Sequence, residues 1–375
     1  RGHPLDIYSL SHLQTYPLAN GPLSVAPLAL ALAVAGWLGW LRSLALTKLV
    51  VVAVYSIFAL LLAREAVRVI DRHASAPLRT TRRLLVYEVF LISLQLWQSM
   101  LYYGHVEQPL MLWLALVGVR ALGEQRPGRA GVALGLALLT RSTALTIIIP
   151  VAALLLARRA WRPLLWLGAA LAGVIIVGLA PFALADGRDL LYSLVTFHNT
   201  EAVNGGNLWT LVGRTTLLAI PQRADGLVVA LAVLLAAGVT LRAQPGLRAD
   251  SRDFYGLLAL CALCHPALAN VFWPYYLLEA FTFCAIWWLC DIGKLGQAGA
   301  RGRWWAWGAA PLGITLLGQA RQLALAQQFA LGQTTAAVVA LDALTTAALI
   351  ALIAALGWRL TRRQPNAEHA SLASA

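Results

Sequence analysis

The stretch "LLWLGAALAGVIIVGLAPFALA" (164–185) decides the fold. It holds no ionisable side chain and is long enough to carry a helix through the roughly 20 residues of a bilayer's hydrocarbon core. A second run, "VAPLALALAVAGWLGWL" (25–41), approaches the same length, and similar runs follow one another along the chain. Over 375 residues, 60% are hydrophobic and 12% charged. Soluble domains carry about 25% charged residues. Mean hydropathy is +0.71. These features define an all-α, polytopic membrane protein and exclude an ordinary soluble domain.

The net charge of +13 would suggest a nucleic-acid partner in a soluble protein. Here the arginines cluster in short connections between apolar runs, which is the pattern of cationic loops retained in the cytoplasm. No nucleic acid is expected. Cys261, Cys264, Cys284 and Cys290 all lie inside apolar segments. Cys261 and Cys264 form a C-x-x-C without the matching ligands of a zinc site, so they read as packing residues.

Arg64, Arg68, Arg72, Arg79, Arg82 and Arg83 anchor segment 64–83 in the cytoplasm. Alternating sides from there, 84–104 runs outward and 109–122 returns to "RALGEQRPGRAG" (120–131). Residues 131–157 form two short helices, out and back around "LLTRSTAL". Residues 164–183 run outward, 186–210 form a long outer loop, and 224–242 return. Residues 254–270, 273–291, 304–320 and 334–358 complete the alternation. This gives about eleven spans. Residues 22–41 are expected to lie in the outer interface, where Trp37 and Trp40 suit the position. Residues 1–21 form an outer segment, and 359–375 are a polar cytoplasmic tail expected to be disordered. The whole chain is a single membrane domain. It opens "RGHPLDIYSL", without a Met, a signal peptide or a first apolar helix, so a natural N-terminal segment is expected upstream.

With this topology four polar groups face one side. They are His3 and Asp6; His105, Glu107 and Gln108; His198, Glu201, Asn204 and Asn207; and His265, Asn270, Tyr275, Tyr276 and Glu279. Arg141 reaches the same level between the two short helices. Ionisable groups at membrane depth are costly, which makes their positions informative. Each also has a plain reading. Asp6, His198 and Glu201 fit solvated loops, and Glu107 fits the start of a helix, where a carboxylate meets the positive dipole end. His265 and Glu279 fit internally paired polar contacts. Arg141 asks for an anion or a carboxylate partner.

The chain has no G-x-S-x-G elbow, no H-E-x-x-H and no phosphate-binding G-x-x-x-x-G-K-[ST]. What remains is a set of carboxylates, histidines and one arginine at a lipid–water boundary. Such a set suits group transfer from a lipid-linked phosphate, with a carboxylate as general base and cationic groups on the leaving phosphate.

Several stretches resemble, in order, motifs of the GT-C superfamily of integral-membrane glycosyltransferases. They are most similar to those of the polyprenol-phosphate-mannose-dependent mannosyltransferases of the family 87 type. These stretches are "TYPLANGPLSVAPLALAL" (15–32), "YYGHVEQPLMLWLAL" (102–116), the broken-helix block 126–162, "GGNLWTLVGR" (205–214) and "HPALANVFWPYYLLEAF" (265–281). The resemblance implies a GT-C helical bundle and an inverting transfer of a sugar, mannose first among the candidates. The donor would be a polyprenol monophosphate and the acceptor lipid- or glycan-linked, on the outer face of a bacterial plasma membrane.

The family's base is an Asp in the first outer loop, which makes Asp6 the candidate by default. Glu107 matches the acidic position of the second motif, with His105 beside it. Arg141 stands where a Lys is usual and would hold the donor phosphate with His265. Asn207, Trp209, His198, Tyr275, Tyr276 and Glu279 are the remaining candidates for binding substrate, and Trp209 replaces the usual small residue. No cofactor is required by this pattern, and His105 with Glu107 leaves a divalent metal open. Two other readings stand beside it: a transporter or flippase of lipid-linked sugars, and an inactive GT-C-like protein.

Overall fold

The computed structural model describes residues 20–73, 107–197, 205–212, 219–249, 251–290, 313–321, 323–325 and 336–362, with Ile7, Tyr8, Leu18, Thr80, Arg83, His105 and Ala310 beside them. Among the described residues there are helices and turns and no strand. We number the main helices α1 (Ala26–Trp37), α2 (Leu44–Asp71), α3 (Gln108–Gly123), α4 (Pro127–Thr140), α5 (Leu145–Ala157), α6 (Trp161–Leu191), α7 (Ala219–Ala243), α8 (Arg252–Leu268), α9 (Leu277–Leu289) and α10 (Ala336–Thr361). Among the described residues, four segments are long and apolar enough to cross a membrane by length and composition: Leu44–Asp71, Trp161–Thr196, Ala224–Ala243 and Ala336–Thr361.

The expectation of about eleven spans is met only in this coarser form. The shorter apolar helices, α3, α4 and α5 among them, fall below spanning length. Residues 84–104 lie outside the described residues, as does most of 291–335. The interfacial segment resolves into a 3-10 turn, Pro22–Ser24, and α1, which is 12 residues long. Ala31 and Ala35 of α1 pack on Val50 and Val54 of α2, while Trp37 is 85% exposed.

The long outer loop begins later than expected. Helix α6 continues to Leu191 through a break at Asp186 (φ −156°, ψ 77°) and runs on as a π-turn, Tyr192–Thr196. Asp-Gly at 186–187 reads as a turn in sequence. Here the Asp186 carboxylate accepts from the Asp189 backbone N–H at 3.2 Å, so the residue restarts a helix instead of ending one.

Two chain reversals share one device. At the end of α3, Gln125 is in the left-handed region (φ 60°), with Gln125 N–H donating to Leu122 O and Arg126 N–H to Ala121 O. At the end of α5, Arg159 (φ 54°) repeats it, with Arg159 N–H on Leu156 O and Ala160 N–H on Leu155 O. Both are Schellman closures, a position that normally holds glycine because a Cβ is strained there. Gln125→Gly should therefore stabilise the protein by about 1 kcal/mol, measured by unfolding in detergent micelles. A loss of stability would refute this account of the turn.

Helix α8 is the hub of the core. Thirteen of its 17 residues are buried, from Phe254 through Ala267, and it packs against α5, α7, α9 and α10. All four cysteines are free and buried, and Cys261 and Cys264 belong to this core. Helix α6 is its opposite. Only 6% of its most apolar window is buried, with Leu165, Ile176, Val177 and Leu184 each more than 60% exposed. A soluble protein does not present such a continuous apolar face to water.

Contacts between helix ends set the chain's alternation. At one end, Arg72 meets Glu124 (2.7 Å), Arg120 pairs with Glu65, and Arg158 donates to Leu247 O. The Arg120 guanidinium beside Glu124 holds that carboxyl below the usual carboxylate range. The C-termini of α2, α3, α5, α7, α9 and α10 gather at this arginine-rich end. The N-termini of α3, α5 and α9 and the C-termini of α4 and α8 gather at the other.

Candidate functional site

The break between α4 and α5 creates the site. Arg141 leaves the helix in an extended conformation (φ −156°, ψ 132°), and a 3-10 turn, Ser142–Ala144, starts the next helix. An extended residue between two helices turns its side chain out of the helical stack. Here that carries a guanidinium into the bundle, where Arg141 is 3% exposed.

Three helix starts converge on it. Glu107, just ahead of α3, accepts from Arg141 Nη1 at 2.8 Å, and the same Oε1 lies 2.9 Å from His105 Nδ1. Glu279, in the first turn of α9, places Oε1 3.7 Å from Arg141 Nε. Thr143, two residues beyond Arg141, donates its hydroxyl to that oxygen. The 3-10 turn Pro274–Tyr276 supplies aromatic walls. The Arg141 guanidinium lies 5.4 Å from the Tyr275 ring centre and 5.8 Å from that of Tyr276. Gln108 donates from Nε2 to Tyr275 O at 2.9 Å, tying α3 to this turn.

The rings extend outward. His105 sits 4.3 Å from Tyr275, His265 sits 4.6 Å from Tyr276, and Trp273 lies parallel to Tyr275 at 6.4 Å. A guanidinium is always charged, and burying one is tolerated only with a carboxylate at bonding distance and its donors occupied. Glu107 supplies the carboxylate at bonding distance, and Glu279 adds a second ion pair from another helix, while Arg141 Nε makes no hydrogen bond. The aromatic faces add cation–π attraction, strongest where water is excluded. His105, at 27% side-chain exposure, is the partly exposed member of the ion-pair network.

The structure thus brings together seven of the sequence candidates: His105, Glu107, Arg141, His265, Tyr275, Tyr276 and Glu279. Asn207 and Trp209 stand beside them as braces. Asn207 Nδ2 donates to Ala269 O at 2.9 Å and Asn270 O at 3.2 Å, and Trp209 Nε1 donates to Leu268 O at 2.6 Å. Both therefore fix the segment that leads into Trp273 and the tyrosines. Asp6 and His198 lie outside the described residues, as do His3, Glu201 and Asn204.

Sequence reasoning passed over Thr143 and Asp225. The Asp225 carboxylate accepts from the Asn270 backbone N–H at 2.6 Å and holds the same segment from α7. Its signal was a lone acid opening an apolar run. Among the described residues, no group of three or more His, Cys, Asp or Glu stands close enough to hold a metal ion.

An apolar cavity of about 670 Å³ opens between the Pro22 turn, α4 and α6. It is lined by Leu136, Leu139, Val174, Val177 and Phe182, among others, and Leu139 is two residues from Arg141. The chain matches no known family model and no curated protein.

Proposed function

We propose that this chain is a membrane glycosyltransferase. It moves a sugar, with mannose the first candidate, from a polyprenol-monophosphate donor to a lipid- or glycan-linked acceptor on the non-cytoplasmic face, with inversion. The observation that supports this reading is the Arg141–Glu107–Glu279 cluster at the end opposite the arginine-rich connections, in a bundle that also holds an apolar cavity between α4 and α6. An isoprenoid chain fits a cavity without polar lining, and a phosphate fits a guanidinium held by aromatic rings and helix starts.

In this mechanism the acceptor hydroxyl attacks the anomeric carbon while the bond from that carbon to the phosphate oxygen breaks on the opposite face. The acceptor's proton passes to a carboxylate, and the electron pair leaves with polyprenol phosphate. Arg141 exchanges part of its pairing with Glu107 for the leaving phosphate, which frees Glu107 to take up the proton beside His105. Asp6 is the alternative base on the family resemblance. The aromatic rings of Tyr275 and Tyr276 keep water from the guanidinium and so strengthen its hold on developing charge.

The reading of an inactive GT-C-like protein has one observation in its favour, the enclosure of an already paired Arg141. Activity separates the two. Purified protein in lipid nanodiscs should transfer label from polyprenol-phosphate mannose to a glycolipid acceptor. Glu107→Gln, which keeps the shape and removes the proton acceptor, should lower the rate about 10²–10⁴-fold when equal amounts of folded protein are compared. A wild-type protein inert toward a panel of polyprenol-phosphate sugars would overturn the assignment. Full turnover in the Gln variant would remove Glu107 from it.

A further inference from the structure

The turn between α5 and α6 carries charge that neither the fold nor sugar transfer uses. It reads "ARRAWRPLLW" (157–166), with three arginines and no acid, and every residue from 145 to 197 is described. Arg158 is committed, since it donates to Leu247 O in the chain that follows α7. Arg159 and Arg162 are exposed, and among the described residues neither side chain meets a carboxylate, a carbonyl or a ring. Arg159 also occupies the left-handed position of the α5 closure (φ 54°). Glycine is the relaxed residue there, so the turn itself gives no reason for an arginine.

The neighbouring aromatics set the depth at which these cations lie. Trp161, the first residue of α6, is 59% exposed, and Trp166 is 60% exposed. Trp166 follows Arg162 by four residues and so shares its helix face. With its continuation to Thr196, α6 is one of the four segments of spanning length, and its apolar window is the least buried of the four. In a bilayer, hydrocarbon covers such a face. Exposed tryptophans in its opening turns mark the headgroup level, which places Arg159 and Arg162 at the depth of lipid phosphates.

We propose that Arg159 and Arg162, bracketed by Trp161 and Trp166, hold the phosphate of an anionic phospholipid in the leaflet that this end faces. Planar guanidiniums bind phosphate oxygens through paired N–H donors. Charge complementarity selects the occupant: two cations without a protein partner, beside a lipid-covered helix face, match a headgroup that carries net negative charge. A zwitterionic headgroup brings its own cation and gains less. Basic segments next to a membrane helix are drawn to anionic leaflets for the same reason. The inference does not depend on the sugar-transfer reading, because it concerns the end of α5 opposite Arg141.

Native mass spectrometry of the full chain, released from micelles with equal phosphatidylglycerol and phosphatidylcholine, tests it. The wild type should retain phosphatidylglycerol preferentially, and Arg159→Gly or Arg162→Gln should each cut that retention about fivefold while leaving phosphatidylcholine unchanged. Arg159→Gly also relieves the left-handed backbone, so it should unfold at a higher denaturant concentration, which separates loss of lipid from loss of fold. Gln125→Gly gives the same relief at an uncharged closure and should leave retention as it is. Arg129→Gln, at an exposed position in the first turn of α4, should change little. A loss there equal to that of Arg162→Gln would overturn the proposal in favour of a diffuse field of cations. Inorganic phosphate at matching concentration should not displace the lipid; displacement would overturn it in favour of a soluble anion. Equal retention of both lipids by the wild type would also overturn it, and that measurement needs no variant to fold. So would undiminished phosphatidylglycerol retention in both Arg159→Gly and Arg162→Gln.

Discussion

Arg141→Ala should lower stability by about 3–5 kcal/mol and abolish the proposed sugar transfer. Removing the guanidinium leaves Glu107 and Glu279 buried, close to each other and without their cation. Breaking a buried pair from one side costs more than the pair contributes, because the surviving charge stays desolvated. The rescue is specific. Adding Glu279→Gln to Arg141→Ala should recover part of the stability, since it removes one stranded carboxylate, and the two changes should be strongly non-additive. Arg141→Lys should keep most of the stability and lose more of the activity, because a point charge replaces a fork that touches two carboxylates and two rings. Reversible unfolding in mixed micelles measures the first effect. A loss below about 1 kcal/mol for Arg141→Ala would show that the cluster is solvated and the account of the site wrong.

Gly131→Val should be strongly damaging, costing about 3 kcal/mol. A Cβ at Gly131 would stand 2.3 Å from the Leu167 backbone oxygen of α6. No rotamer relieves a clash with backbone, so α4 and α6 would have to separate. Because α4 ends at Arg141 and forms the cavity wall with α6, the separation should also weaken the site. Gly168→Ala is the matched control. Nothing lies within 4 Å of its Cβ position in the middle of α6, and it should stabilise that helix by about 0.5–1 kcal/mol. Equal effects at the two glycines, read by detergent unfolding, would contradict close packing of these helices.

Much of the fold could be read along the chain. The two short helices on either side of "LLTRSTAL" follow from apolar runs too short to span and interrupted by an arginine, and they appear as α4 and α5. The termini of α3, α7 and α8 fall within a few residues of the sequence estimate, because polar connections bracket them. The start of the outer loop could not be read. Asp186-Gly187 has the composition of a turn, and only the local bond from Asp186 to the Asp189 backbone turns it into a helix restart.

The candidate site was legible as an inventory, not as a geometry. His105, Glu107, Arg141 and Glu279 stand out in sequence because charge is scarce in so apolar a chain. Their roles do not, since the ion pair Arg141–Glu107 spans 34 positions and the Gln108 bond to Tyr275 spans 167. Asn207 and Trp209 show the limit most clearly. As sequence features they are polar and aromatic loop residues suited to a sugar, whereas in the fold their donors serve the backbone carbonyls of 268–270.

The sequence by itself determined an all-helical chain with membrane-spanning helices, its arginine-rich connections and the short list of ionisable residues among apolar ones. Those follow from transfer free energies and backbone hydrogen bonding, which depend on each segment alone. Only the tertiary structure decided that Arg141 meets carboxylates from two different helices, that its walls are Tyr275 and Tyr276, and that an apolar cavity opens between α4 and α6. Such contacts depend on how helices cross and how closely glycines let them approach, and neither property is local to any stretch of sequence.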